Sequence, residues 1–226
     1  MSLVVAIDGP AGVGKSTVAR RLAARLGVPY LNTGAMYRAL ALRVLDHGVD
    51  VADRRAAEAV ALAAELELRP GADGEVRVIL DGEDVSDRLY VPEVGAASSQ
   101  IAAYGAVRKR LVALQRSCGE AAGGVLEGRD IGTVVFPHTP YKFFVTARPE
   151  VRHHRRWQQL RDAGDEVSRE QVAAEMERRD RRDAGRSDSP LACDASYREV
   201  DTSDVSIDEV VDELEQAVRR GGADQG

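Results

Sequence analysis

The sequence predicts an α/β fold in which five parallel strands are flanked by helices and interrupted by a small antiparallel β insertion. Three observations carry that prediction. Short apolar, β-branched runs alternate with stretches of helical spacing, a glycine-rich turn joins the first run to the first helix, and between residues 67 and 85 the apolar period drops towards two. Alternating strands and helices imply right-handed crossovers and a parallel sheet covered on both faces.

Taken in order, residues 3–7 form an apolar run that ends in Asp8, Gly9 and Pro10, as a buried strand entering a turn does. Val18, Leu22 and Leu26 share one face of the helix that follows, and Gly27 with Pro29 stops it. A short strand near Tyr30 and Leu31 precedes a helix carrying Met36, Leu40 and Val44, then an alanine-rich helix expected over residues 53–66. In the insertion, Asp73-Gly74 and Asp81-Gly82 both offer tight-turn chemistry. Helical spacing returns at Val107, Leu111 and Leu114. Further strands are expected at Val125-Leu126, over residues 142–146 and near Glu199-Val200, with Pro149 as the first residue of a helix. Ser168 with Gln171 and Ser206 with Glu209 form two capping boxes. The second opens a final helix whose Ile207, Val210, Val211, Leu214 and Val218 face the core, and residues 221–226 read as a frayed tail.

A chain of 226 residues suits one large domain. Hydrophobic content of 44% and charged content of 30% are those of a soluble globular protein, and no stretch approaches the roughly 20 apolar residues that span a bilayer. The first residues lead straight into the glycine loop without the features of a signal peptide, so a cytoplasmic setting without a membrane partner is expected. Cys118 and Cys193 lie too far apart in sequence for a CxxC site and read as reduced thiols. A formal net charge of −6 and 4% aromatic content argue against a nucleic-acid partner. His47, His138, His153 and His154 show no metal spacing.

The strongest motif is Gly9, Pro10, Ala11, Gly12, Val13, Gly14, Lys15, Ser16 and Thr17, which matches GxxxxGK[ST] between an apolar strand and an amphipathic helix. This is a P-loop. Its backbone N–H groups wrap a β-phosphate, the helix N-terminus adds favourable partial charge, Lys15 spans the β and γ phosphates, and the Ser16 hydroxyl is the candidate Mg²⁺ ligand. ATP is thus the expected phosphoryl donor. A GTPase would add an NKxD motif, and none occurs. A large ATPase would add a Walker B strand ending in acids, whereas residues 142–147, at the expected strand, contain none. A small-molecule kinase remains.

Acceptor recognition requires cations for a phosphate and paired donors and acceptors for a base. Residues 33–38 (TGAMYR), 128–133 (GRDIGT) and 178–183 (RRDRRD) supply them near the ends of expected strands, where open α/β sheets bind ligands. At these segments, together with IDGPAGVGKST, SSQIAAYGAVR and EGRDIGTVVFP, the chain resembles the bacterial cytidylate kinase family, from Leu3 to about Val218. The resemblance implies an adenylate-kinase-like P-loop NTPase core, with a nucleotide-binding insertion over residues 64–94 and an arginine-rich helical lid over residues 151–186. The core would comprise residues 1–63 and 95–226 of a single kinase domain. It also implies CMP and dCMP as acceptors, and a monomer.

Carried over by position, the family pattern sets Ser99, Arg108 and Asp130 around the cytosine ring, where a carboxylate accepts from the exocyclic amine. UMP carries a carbonyl there, and an unmatched buried polar group costs about 1–3 kcal/mol. Arg38 and Arg129 correspond to clamps for the acceptor phosphate, and Thr33 and Tyr37 to positions beside the acceptor, where the family often has serine at the first. Arg179 and Asp183 correspond to a pair that meets the sugar hydroxyls, joined by Arg186. Lys15, Arg129, Arg182 and Arg186 are the expected catalytic cations. Several of these residues have a second reading: Arg179, Arg182 and Arg186, taken singly, as solvated or salt-bridged surface arginines, Asp130 as a helix N-cap beside Gly132, and Tyr37 as core packing.

No covalent intermediate or general base is expected, because a phosphate monoester with a second pKa of about 6 is already a competent nucleophile. The arginines of residues 148–186 are expected to repel one another until polyphosphate draws them closed. The alternatives are a kinase for another small acceptor, such as a different nucleotide or shikimate, and a regulatory protein that hydrolyses ATP slowly. Acceptor dependence separates them.

Overall fold

The computed structural model describes residues 2–70, 76–186 and 188–223. Its elements in chain order are β1 (Val4–Asp8), α1 (Lys15–Leu26), β2 (Tyr30–Asn32), α2 (Thr33–Asp46), α3 (Arg54–Leu62), β3 (Leu66–Pro70), β4 (Val76–Leu80) and β5 (Glu83–Asp84). There follow α4 (Pro92–Ile101), α5 (Gly105–Ala122), β6 (Gly124–Gly128), β7 (Tyr141–Thr146), α6 (Pro149–Asp162), α7 (Arg169–Ala184), β8 (Arg198–Asp201) and α8 (Ile207–Ala223). A 3-10 turn covers Ser86–Arg88 and a π-helical turn covers Ile131–Val135. The larger sheet is parallel with strand order β2-β6-β1-β7-β8, and the smaller is antiparallel with order β3-β4-β5. The expected fold class is the one observed.

Two compact units divide the chain: residues 29–124, and residues 3–28 with 125–226. In the first, the faces of α2, α4 and α5 close over a core in which Met36, Leu40, Ile101, Val107 and Leu111 are fully buried. The antiparallel sheet joins that core because its register pairs Leu66 with Leu80 and Leu68 with Val78, which places four aliphatic side chains on one face. Asp81 (φ +51°) and Gly82 (φ +88°) make the two-residue turn that the sequence signalled, while Asp73-Gly74 lies outside the described residues.

Two expectations need correction here. The alanine-rich helix ends at Leu62 rather than near Leu66, because Leu66 pairs with Leu80 and the Asp81 carboxylate accepts from the Glu65 N–H at 2.8 Å. A run of alanines has helix propensity but little apolar mass, so the ladder decides the boundary. Helix α4 escaped periodic reading because half of its ten residues are Gly, Ala or Ser; Val94, Ala97 and Ile101 nevertheless bury against the core.

In the second unit β1 lies at the centre, with Val5, Ala6 and Ile7 wholly buried, and α8 packs against α1 and β7 and buries Val210, Val211, Leu214 and Val218. Both capping boxes form: Ser168 with Gln171, and Ser206 with Glu209, whose carboxylate accepts from the Ser206 N–H at 2.8 Å. Helix α8 continues through Gly221 to Ala223, where a frayed tail was expected. Tyr141 explains the glycine, since a Cβ at 221 would come within 2.9 Å of its ring. Residues 224–226 lie outside the described residues.

Candidate active site

The phosphate loop leaves the end of β1 as anticipated, and its shape depends on glycine at two contacts. A Cβ on Gly9 (φ +147°) would sit 2.0 Å from the Val145 carbonyl oxygen, so the loop can cross β7 only without a side chain. A Cβ on Gly12 (φ +79°) would meet the Met176 side chain of α7 at 2.7 Å and the Arg152 carbonyl oxygen of α6 at 3.0 Å. Lys15 is buried and its Nζ donates to the Pro10 carbonyl at 2.5 Å. Burial, and after it the neighbouring Arg129, push its ammonium well below the ordinary lysine range against the pull of Glu127.

Glu127 is the residue that sequence reasoning missed. The acid was sought on β7, which lies on one side of β1; it stands instead on β6, on the other side, where Glu127 is buried and accepts from the Ser16 hydroxyl at 3.0 Å. Only the strand order reveals this, although an apolar run ending in acid (VLEG) was a visible signal. A hydroxyl and a carboxylate at the mouth of a phosphate loop are the hard oxygen donors that Mg²⁺ takes, since it binds through one or two protein oxygens and keeps substrate phosphates for the rest.

After β6 the chain makes the wide turn at Ile131–Val135, and Asp130 stands at its cap position without using its side chain as a cap. That answers the second reading of Asp130. The exposed N–H groups are met from β1: Asp8 Oδ1 accepts from Ile131 at 2.9 Å and Oδ2 from Gly132 at 2.8 Å. Asp8 is fully buried, and burial pushes its carboxyl up to about 6 despite these bonds and one from the Tyr197 hydroxyl.

Arg129 reaches α7. Its Nε donates to Asp183 Oδ2 at 2.9 Å, and Arg186 pairs with the other oxygen of the same carboxylate. Burial raises the Asp183 carboxyl, but Arg129, Arg186 and Arg179 together overcome that and hold it below the ordinary carboxylate range. Arg152 of α6, unremarked in the sequence, donates to Asp180 at 2.5 Å and to the Ala11 carbonyl at 3.2 Å, linking the helix pair to the phosphate loop. The arginine-rich segment is therefore not the self-repelling crowd of cations expected from composition: Asp180 and Asp183 are interleaved with it. Arg179 is half-buried and Arg182 exposed.

The remaining expected residues form a second group in the other unit. Tyr37 and Arg38 lie on α2, with Thr33 buried at its start, Ser99 buried on α4 and Arg108 buried on α5. Arg108 donates to the Ala102 carbonyl at 3.0 Å, and its guanidinium lies over the Tyr37 ring at 5.7 Å. Tyr37 is half-buried, packs on the core as its second reading expected, and lies under the Arg108 guanidinium. Arg38 donates to the Leu89 carbonyl at 3.0 Å, lies over the Tyr90 ring at 5.5 Å, and fits because Gly95 has no Cβ, which would stand 3.1 Å from its Nη1.

A parallel sheet, a glycine loop with its lysine, and an acid-paired serine define a P-loop enzyme that handles nucleotide phosphates. Residues 5–220 match the cytidylate kinase family, and the chain belongs to it. It is 48% identical over 221 residues to a cytidylate kinase of Solibacter usitatus, covering 96% of this chain and 92% of the relative. The cytidylate kinases of Methylococcus capsulatus (48% identical; 92% and 93% covered) and Symbiobacterium thermophilum (46%; 96% of each) are similar to a like degree. Among solved structures, an uncharacterized protein from Eubacterium ventriosum shares the fold alone, with a TM-score of 0.55 at 15% identity over 97% of this chain and 99% of the other.

Proposed function

We propose that the protein transfers the γ-phosphoryl group of ATP directly to the 5′-phosphate of CMP or dCMP, giving CDP or dCDP and ADP. The observation that carries the reading is the grouping of Lys15, Ser16, Glu127 and Arg129 around one phosphate loop in a chain of the cytidylate kinase family. An oxygen of the acceptor phosphate attacks the γ-phosphorus in line as the bond to the β-phosphate breaks, and ADP departs with the electron pair. Lys15 swings from the Pro10 carbonyl to the β and γ phosphates, while the loop N–H groups hold the β-phosphate. Ser16 and Glu127 would hold Mg²⁺, which supplies charge neutralisation at the β and γ oxygens.

Arg129 and Arg38 are read as clamps for the acceptor phosphate, with Thr33 and Tyr37 beside it. Ser99, Arg108 and Asp130 are read as the base-reading set, and Arg179 with Asp183 as the sugar-binding pair. Arg182 and Arg186 join the transferring group when the helices α6 and α7, taken as the lid, move. Among the described residues no helix is long and apolar enough to cross a membrane. A cytoplasmic monomer acting on small nucleotides is the setting that fits this reading.

The test is coupled ADP release with Mg-ATP and CMP, dCMP, UMP, AMP, GMP or shikimate offered separately. Rapid turnover with CMP and dCMP and slow turnover with UMP is expected. Acceptor-independent release, or preference for a purine or shikimate, overturns the reading.

A further inference from the structure

We infer that Asp8 is a positioning residue for the acceptor side of the reaction, holding the Arg129-Asp130 segment in place through its buried carboxylate. Three donors converge on it: the N–H groups of Ile131 and Gly132 and the Tyr197 hydroxyl, the last at 2.7 Å. The two N–H groups open the wide turn, in which Val134 and Val135 already donate back to the Asp130 carbonyl. Aiming two consecutive N–H groups at one carboxylate determines the backbone between residues 130 and 132, and so the directions in which Arg129 and Asp130 leave the chain.

The packing around the carboxylate admits little slack. A Cβ on Gly132 would meet the Tyr197 hydroxyl at 2.7 Å, and Tyr197 is itself braced edge-on against Phe144 of β7 with ring centroids 5.9 Å apart. Tyr197 lies in the chain that returns from α7 to β8. Asp8 thus joins the strand that launches the phosphate loop, the turn behind Arg129 and Asp130, and the return from the helices whose Asp183 holds Arg129. Burying a carboxylate is unfavourable, and an apolar residue would suit the wholly buried end of β1 better unless the three donors needed an anion. An amide supplies one acceptor oxygen only and turns its NH₂ towards another donor.

The inference rests on the acceptor roles proposed above for Arg129 and Asp130. Its test uses D8N and Y197F, with D130A as the variant that probes those roles directly, each assayed with Mg-ATP against CMP and UMP. D8N should lower kcat/KM for CMP about thirtyfold and Y197F about fivefold, with ATP affinity by calorimetry within about threefold of the original enzyme. The CMP-over-UMP preference should fall in both, because a slack Asp130 reads the base less well; a protein merely less stable loses activity towards both acceptors in proportion. If D8N does not fold, Y197F, which keeps its ring against Phe144, decides. Undiminished CMP preference in the folded variants, or a loss shared equally by ATP affinity, overturns the inference while D130A still impairs CMP. If D130A itself leaves CMP kinetics unchanged, the reading of the acceptor site fails instead.

Discussion

The phosphate loop and the residues proposed to read the acceptor are built by different means. The loop is contiguous from Gly9 to Thr17, and its course depends on backbone, with glycines where a Cβ would meet Val145 and Met176. Tyr37, Arg38, Ser99 and Arg108 come from three helices, and Tyr37, Arg38 and Arg108 are held by side-chain contacts, an arginine over a tyrosine, a guanidinium on a carbonyl, a glycine that leaves room. A backbone cradle tolerates changes in the side chains around it, whereas a side-chain site is only as exact as the packing behind each member. Loss of Lys15, or of a glycine on which the cradle itself depends, should abolish turnover, and changes in the proposed acceptor group should alter selectivity and KM.

The largest effect is expected from K15A, which removes the cation proposed to span the β and γ phosphates: turnover should fall about a thousandfold with the fold intact by circular dichroism. A fall of less than tenfold would remove Lys15 from the transfer step. Next comes E127Q, for which kcat should drop about a hundredfold and the Mg²⁺ concentration for half-maximal rate should rise, since the proposed anionic donor becomes a neutral amide. An unchanged Mg²⁺ requirement would leave Glu127 a partner of Ser16 only.

Two buried aspartates then give stability effects of opposite sign with pH. Asp183 is held low by Arg129, Arg186 and Arg179, so its contribution is present above about pH 4 and is lost as pH falls through its folded value. D183N should cost about 3 kcal/mol at neutral pH, because it leaves two arginines around a neutral group, and should flatten the acid limb of an unfolding curve. Asp8 is pushed up to about 6 by burial, facing Tyr197, Asp130 and, at longer range, Lys15. Its contribution is full below the unfolded value near 4 and is lost as pH rises to 6, a difference of about 3 kcal/mol that should vanish from the urea-unfolding pH profile of D8N. The smallest effect is expected from Y90A. Tyr90 is 60% exposed and braces Arg38, so KM for CMP should rise about threefold with kcat unchanged, as expected of a lost binding contact.

How legible each part was in the sequence follows the same division. Strands β1, β6 and β7, helices α1, α2, α5 and α8, the Asp81-Gly82 turn and both capping boxes depend on neighbours within a few residues, and local patterns predicted them. Helix α4 and the end of α3 were not legible, because small residues carry no strong period and a ladder to a strand about fifteen residues away set the boundary. Within the site, Lys15 and Ser16 could be assigned from spacing, but Glu127 could not be paired with Ser16 until the strand order placed β6 beside β1.

By itself, then, the sequence determined the phosphate loop, the alternating α/β architecture and, through a series of ordered motifs, the family to which the chain belongs. Those properties reside in consecutive residues and their periodicity. Only the tertiary structure decided that Asp8 caps the turn after Asp130, that Asp183 is shared by Arg129 and Arg186, and that Arg152 bridges Asp180 and the phosphate loop. Those contacts join residues far apart in the chain, and a buried charge finds its partner through the packing of the elements that carry it.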